Sequence, residues 1–239
     1  MEADLKQIVT QLHGAVASYK MPANARELIG SGEVTLLCGV TAAGKNTIAN
    51  YLVSHGDYAH VVSHTTRVPR ENHGIMEQSG NEYWFVSPNE MFGLVNSKAF
   101  IEVKAIHGET VYGTSIEAVK SVIEAGKHPV MEIDVQGALE LTEAVPGLRP
   151  LFILPPSYDV WMERLGTRGF ISDGEKQRRL RSASMEIQTA LDHPSFLLIA
   201  NHEVEMTAAE IMKGVDPGFQ SQAELRKLAE ELLETIKNI

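Results

Sequence analysis

Nine residues, Gly39-Val40-Thr41-Ala42-Ala43-Gly44-Lys45-Asn46-Thr47, stand between an apolar run (Val34 to Cys38) and a helix-forming stretch (Thr47 to Val53). Gly39 and Gly44 allow backbone conformations closed to other residues, so N–H groups between them, through Thr41, Ala42 and Ala43, can converge on one phosphate. The following helix directs the positive end of its dipole at the same anion. Lys45 adds a mobile point charge for the outer phosphates. This is the chemistry of nucleotide binding. The position after the lysine, where a Ser or Thr hydroxyl ordinarily meets magnesium, holds Asn46.

A second group follows. Ser63-His-Thr-Thr-Arg67-Val-Pro-Arg70 sets two arginines three residues apart in a loop containing proline, so two planar guanidinium forks can face one phosphate. Alone they would read as solvated surface arginines. Downstream, however, come Tyr83, Glu102 and Tyr112-Gly113-Thr114. A carboxylate such as Glu102 can accept from the N1–H and 2-amino groups of guanine together, and a hydroxyl such as that of Thr114 can meet O6. Adenine has no such pair of donors on one edge. A third group, Arg164, Arg168, Lys176, Arg178, Arg179 and Arg181, concentrates positive charge in an acidic chain. Lys176, Arg178 and Arg181 read as a solvated helix face with Asp173 and Glu175 as partners. Arg168 and Arg179 read as arginines that close on the transferring phosphoryl group.

The elements that position these groups follow from periodicity. Residues 2–19 carry Leu5, Ile8, Val9, Leu12, Val16 and Tyr19 on one helical face. After Pro22, Asn24 and Glu27 have the spacing of a capping box for a short helix ending at Gly30. Beyond the loop, the pattern predicts a helix over 45–55, a strand from Tyr58 to Ser63, and polar, loop-rich sequence from Ser63 to Tyr112 with short alternating runs such as Tyr83–Val86. Then come a helix over 115–125, a buried strand from His128 to Val135, a helix, a strand from Leu151 to Leu154, helices over 157–165 and 175–192, and a last strand from Phe196 to Ala200. The tail, 221–238, is helical, with Leu225, Leu228, Leu232 and Ile236 on one side. Strands alternating with helices imply an α/β fold with a parallel sheet, its ligands at the carboxyl ends of the strands.

The bulk properties narrow the partners. A net charge of −10 over 239 residues argues against a nucleic acid polymer or an anionic membrane surface. The single cysteine, Cys38, lies inside the first strand, and the nine histidines show no metal-ligand spacing. No basic segment leads into an apolar run at the N-terminus, and the expectation is a cytoplasmic enzyme.

In colinear order over about residues 33–202, these motifs resemble the guanylate kinase family. The phosphate loop is followed by Ser-His-Thr-Thr-Arg-x-Pro-Arg, Tyr83, Glu102, Tyr112-Gly113-Thr114, Ile133-Asp134-Val135-Gln136-Gly137, Pro155-Pro156-Ser157, Arg164-Leu165-x-x-Arg168-Gly169, Arg179-Leu180 and Asn201. The resemblance implies a P-loop NTPase-type sheet flanked by helices, with an inserted GMP-binding region and a lid. It divides the chain into an N-terminal helical extension (1–30), a kinase-like domain (31–205) and a C-terminal helical extension (206–239). Within the domain the core is 31–62, 113–163 and 184–205, the GMP-binding region 63–112 and the lid 164–183. Ser63, Arg67, Arg70, Tyr83 and Tyr112 would hold the GMP phosphate, Glu102 and Thr114 would read guanine, and Asp134 would join the GMP site. ATP would lie on Gly39, Thr41, Ala42, Ala43, Gly44, Lys45, Asn46 and Thr47, with Asn201 near adenine. Lys45, Arg67, Arg168 and Arg179 would serve catalysis, and Mg²⁺ would rest on Asn46 and Glu132. The reaction would be ATP + GMP ⇌ ADP + GDP by direct in-line transfer. The terminal helices offer faces for a homo-oligomer.

Four departures from the family pattern stand out. Asn46 replaces the hydroxyl, with Thr47 next door. Glu132 replaces an aspartate two residues before Asp134, on the same face if both lie in a strand. The interval from Arg70 to Tyr83 is about four residues longer, and Val111 replaces the first of two tyrosines after a hairpin at Gly108. Two other readings share the motifs: a non-catalytic binding domain on the same fold, and a kinase acting on a phosphorylated sugar.

Overall fold

The computed structural model describes residues 2–31, 34–72, 74–106, 110–166, 173–214 and 220–238. In chain order the elements are α1 (Glu2–Ala17), α2 (Ala23–Gly30), β1 (Thr35–Gly39), α3 (Lys45–His55), β2 (Tyr58–His60), β3 (His64–Thr65), β4 (Glu71–Asn72) and β5 (Ile75–Met76). Next are β6 (Trp84–Phe85), α4 (Pro88–Asn96), β7 (Phe100–Ile106), β8 (Thr110–Ser115), α5 (Ile116–Glu124), β9 (His128–Glu132) and α6 (Val135–Ala144). The chain ends through β10 (Leu151–Leu154), α7 (Tyr158–Gly166), α8 (Asp173–Asp192), β11 (Leu197–Ala200), α9 (Val204–Met212) and α10 (Gln222–Lys237). They form two compact units, Met1–Glu33 with His60–Pro129, and Val34–Ala59 with Val130–Ile239.

The second unit is built on a sheet of order β11-β10-β1-β9-β2. The pairs β11–β10, β10–β1 and β1–β9 are parallel, as the alternation of strands and helices requires. Leu36, Leu37 and Cys38 in β1 and every residue of β10 and β11 are buried, which is why these strands are continuously apolar. Helices α3, α6 and α8 pack on β1. The outer edge of β11 is closed by two side-chain amides. Gln222 accepts from Leu198 N–H (3.0 Å) and donates to Leu198 O (2.9 Å), and Gln220 does the same at Ala200 (2.8 and 3.1 Å). Each amide satisfies an edge residue's two backbone groups as a further strand would. Among the described residues, no helix is long and apolar enough to cross a membrane.

The first unit holds a sheet of order β6-β3-β8-β7, with β7 on the edge. Strands β7 and β8 pair antiparallel, and their register shifts between Phe100 and Glu102. Helix α1 lies on α4 and β7. Its Leu12 and Val16 join Met91, Val95, Phe100, Val103 and Val111 in one buried cluster. Each such side chain contributes about 1.5–3 kcal/mol when fully removed from water.

Three expectations are corrected. The capping box foreseen at Asn24 and Glu27 does not form, because Pro22 takes the N-cap position and Asn24 Oδ1 accepts from Ala25 N–H instead. The box that does form is at Ser87 and Glu90, opening α4 inside the segment expected to be loop-rich. The strand expected through Val135 ends at Glu132, and Asp134 caps α6 by accepting from Gly137 N–H (2.7 Å).

Candidate active site

Helix α3 begins at Lys45, and Gly44 at its N-cap has φ +101° with no side chain capping the exposed N–H groups. Those donors remain oriented toward the loop, as an anion site requires. Gly44 is also held to hydrogen by its surroundings, since a Cβ there would lie 2.2 Å from Asn201 Nδ2. Ala42 takes φ +65°, a left-handed conformation that costs about 1 kcal/mol in an L-residue. The loop is braced from three sides within the second unit. Lys45 Nζ donates to Gly39 O (2.5 Å) and Val40 O (3.0 Å). Trp161 Nε1 donates to Thr41 O (2.8 Å), and Asn201 Nδ2 donates to Ala43 O (2.8 Å). Asn201 is 1 % exposed and its Oδ1 accepts from Thr207 (3.3 Å), so its side chain supports the loop from beneath. Arg164 ties α7 to the same strand end through Asn201 O and His202 O.

Asn46 and Thr47 are both exposed in the first turn of α3. Because the helix starts at Lys45, Thr47 stands about 100° further around the axis and does not take Asn46's place. Glu132 is exposed at the carboxyl end of β9, in register with Leu37 of β1, two residues before Gly39. Asp134, expected with the GMP residues, lies in this second unit as the α6 cap. Arg179 Nε donates to Glu175 Oε1 (2.8 Å), and Arg178 pairs with the same carboxylate. Arg168 lies outside the described residues.

The remaining candidates converge in the first unit as two linked sets. In one, Glu102 Oε1 accepts from Thr114 N–H (3.0 Å) and Thr114 Oγ1 (2.7 Å), and Ser63 Oγ meets Thr114 Oγ1 at 3.0 Å. Strand pairing brings the two together, since Glu102 stands opposite Thr114 in the β7–β8 register. Between Tyr112 and Thr114, Gly113 admits the Phe100 ring, which a Cβ would meet at 2.9 Å. In the other set, the Arg67 guanidinium lies over the rings of Tyr83 (5.3 Å) and Phe85 (5.6 Å), with Tyr83 and Tyr112 in edge contact at 5.6 Å. Arg70 is exposed.

The longer interval after Arg70 is taken up by the β4–β5 hairpin, with Glu71 opposite Met76 and Asn72 opposite Ile75. Its exit returns Glu77 to the arginines. Glu77 Oε2 accepts from Arg67 Nη1 and Arg70 N–H (both 2.8 Å), and Oε1 from Arg67 Nη2 (3.0 Å). Arg67 holds the Glu77 carboxyl below the usual carboxylate range. Val111 is fully buried in one cluster with Leu12 and Val16 of α1, a site that suits an aliphatic side chain.

Two residues of these sites had no sequence signal: Glu77, one acid in a polar stretch, and Glu186 on α8. Burial pushes the Glu186 carboxyl up, against a hydrogen bond from Ser182 (2.9 Å) and the charge of Lys45, while Asp134 pushes the same way as burial. Burial likewise pushes the Cys38 thiol up, consistent with a packing role.

Residues 31–216 match the family model described as Guanylate kinase. The chain is 40% identical over 161 residues to the guanylate kinase of Neisseria meningitidis serogroup A, covering 67% of this chain and 76% of that protein. It is 34% identical over 197 residues to that of Trichormus variabilis, covering 82% and 96%. The crystal structure of guanylate kinase from Anaplasma phagocytophilum is similar, with a TM-score of 0.55 at 28% identity, covering 86% of this chain and 96% of that one.

Proposed function

The chain belongs to the guanylate kinase family, and we propose that it phosphorylates GMP with ATP through the residues gathered in its two units. The observation that carries the guanine assignment is the Glu102–Thr114 pair. The carboxylate is fixed by Thr114's amide and hydroxyl, on the strand pair that also carries Tyr112. An anchored carboxylate rewards the N1–H and 2-amino donors of guanine and leaves adenine's unlike edge unmatched.

Arg67, Arg70, Ser63, Tyr83 and Tyr112 hold the GMP phosphate in this reading. Three of the five Arg67 N–H donors go to Glu77 and Val68 O, so the guanidinium is oriented with donors remaining for Tyr112 and a ligand. The loop from Gly39 to Thr47 holds the triphosphate, with Lys45 released from its carbonyl contacts to the outer phosphates. An oxygen of the GMP phosphate bonds to the γ-phosphorus as the bond to the β–γ bridging oxygen breaks, and that oxygen leaves with ADP. The GMP phosphate has a second pKa of about 6, so near neutral pH the nucleophile is already ionised and no general base is needed. Positioning and charge neutralisation supply the catalysis, with Arg179 and Arg168 as the closing arginines.

Mg²⁺ fits the donor set. Asn46 offers an amide oxygen from the first turn of α3 and Glu132 a carboxylate at the carboxyl end of β9, both exposed, and Mg²⁺ in phosphate sites takes one or two protein oxygens with phosphate and water. Bound there, it would neutralise phosphate charge. The acidic chain acts on free nucleotides, and we place it in the cytoplasm.

The test is ADP release with ATP and Mg²⁺ across GMP, dGMP, IMP, AMP, CMP and UMP. Turnover confined to guanine-type acceptors is expected, and Glu102→Gln should cut the GMP-over-AMP ratio by about 10–100-fold. An unchanged ratio would remove Glu102 from base recognition.

A further inference from the structure

Tyr19 follows α1, in the segment that precedes the family match at residue 31. Its hydroxyl makes two hydrogen bonds to one residue 81 positions away, donating to Phe100 O (2.6 Å) and accepting from Phe100 N–H (3.0 Å). Phe100 opens β7, an edge strand, so these two backbone groups have no neighbouring strand on that side, and one phenol oxygen satisfies both. The ring is held as well, with Lys98 Nζ 4.6 Å from its centroid.

The point that Tyr19 fixes is where β7 changes register. Phe100 pairs with Ser115 and Glu102 with Thr114, so the irregularity falls between the pinned residue and the carboxylate. Such irregularities re-aim the side chains beside them. The Phe100 side chain adds a second constraint, since its ring fills the space over Gly113, next to Thr114. Leu12, Val16 and Val111 pack with Phe100 in the same cluster, so α1 packs against this strand pair.

We propose that Tyr19 is a positioning residue for guanine recognition: its hydroxyl fixes the Phe100 backbone and thereby sets where Glu102 presents its carboxylate. The N-terminal segment is then part of the acceptor site's specificity. This rests on the assignment of Glu102 to guanine.

The experiment is steady-state kinetics and calorimetric GMP binding on the full chain with Tyr19→Phe, which removes only the hydroxyl, beside Glu102→Gln and the double variant. Tyr19→Phe should raise KM and Kd for GMP about threefold to tenfold, with kcat and KM for ATP within about twofold. In the Glu102→Gln background it should add little, because its route to the base is gone. A lower melting temperature with unchanged GMP affinity would make Tyr19 merely structural and overturn the proposal, as would equal losses for ATP and GMP. If Glu102→Gln weakens guanine discrimination while Tyr19→Phe leaves GMP binding intact, this inference fails alone. If Glu102→Gln has no effect, the guanine assignment fails and takes the inference with it. Should Tyr19→Phe not fold, Lys98→Gln is expected to give a smaller GMP-specific loss, and equal GMP affinity in that variant overturns the proposal.

Discussion

Both carboxylate oxygens of Glu77 are engaged by the guanidinium of Arg67, at 2.8 and 3.0 Å, with the two side chains only 9 % and 8 % exposed. The same carboxylate takes the Arg70 amide at 2.8 Å, so one acid orders both ends of the arginine loop. The β4–β5 hairpin is therefore looped out above a closed base, with Glu77 N–H also donating to Arg70 O at 2.9 Å.

Glu77→Gln removes the charge and one bidentate partner while keeping the size. Arg67 then loses its fixed orientation over Tyr83, and KM for GMP should rise about tenfold, as for a charge-assisted hydrogen bond lost, with KM for ATP little changed. Initial rates at varied GMP and saturating ATP decide it. A fall in KM would mean instead that the carboxylate competes with the GMP phosphate for Arg67. Because Arg67 holds the Glu77 carboxyl below its ordinary value, the pair's contribution is present above the usual carboxylate range and is lost only as pH falls through the lowered value.

Asn46→Ser tests the departure in the phosphate loop. Asn46 is exposed in the first turn of α3, and a serine hydroxyl there suits the tight octahedral shell of Mg²⁺ better than an amide oxygen. The Mg²⁺ concentration for half-maximal rate should drop on the order of threefold, with turnover rising. Turnover that falls would show a site adapted around the amide, and Mg²⁺ titration of both proteins separates the outcomes.

What could be read from the chain follows the range of the interactions involved. The phosphate loop was legible because β1, the glycines and α3 are contiguous, and their conformations are set within a dozen residues. Helix α4 was not legible. Pro88-Asn-Glu-Met-Phe-Gly-Leu-Val-Asn96 mixes breakers with apolar residues, and it is helical because Met91 and Val95 bury against α1, far off in sequence. The Ser87–Glu90 box marked it, yet that spacing also occurs at Asn24 and Glu27, where proline pre-empts the cap. Glu102 and Thr114 could be named because base chemistry selects their types. Glu77 gave no signal and Tyr19 read only as part of a helical face, whereas α1 ends at Ala17; each acts through a partner that only the fold supplies. The same holds for Gln220 and Gln222, which seal an edge 20 and 24 residues away.

Glu186 gives a pH test inside the second unit. Burial raises its carboxyl above the ordinary value, with Asp134 adding to the rise and Ser182 and Lys45 opposing it. A carboxyl raised in the folded state binds its proton more readily there than in the unfolded chain. Its contribution to stability is therefore complete below the ordinary carboxylate range and is lost as pH rises through the raised value. Glu186→Gln removes that loss. The variant should melt roughly 2–4 °C above the parent at pH 8, the shift expected for ~1 kcal/mol in a chain of this size, and the gap should close toward pH 4. Thermal melts of both proteins across that range check it. A gap of equal size at both ends would mean that the Glu186 carboxyl is not the titrating group.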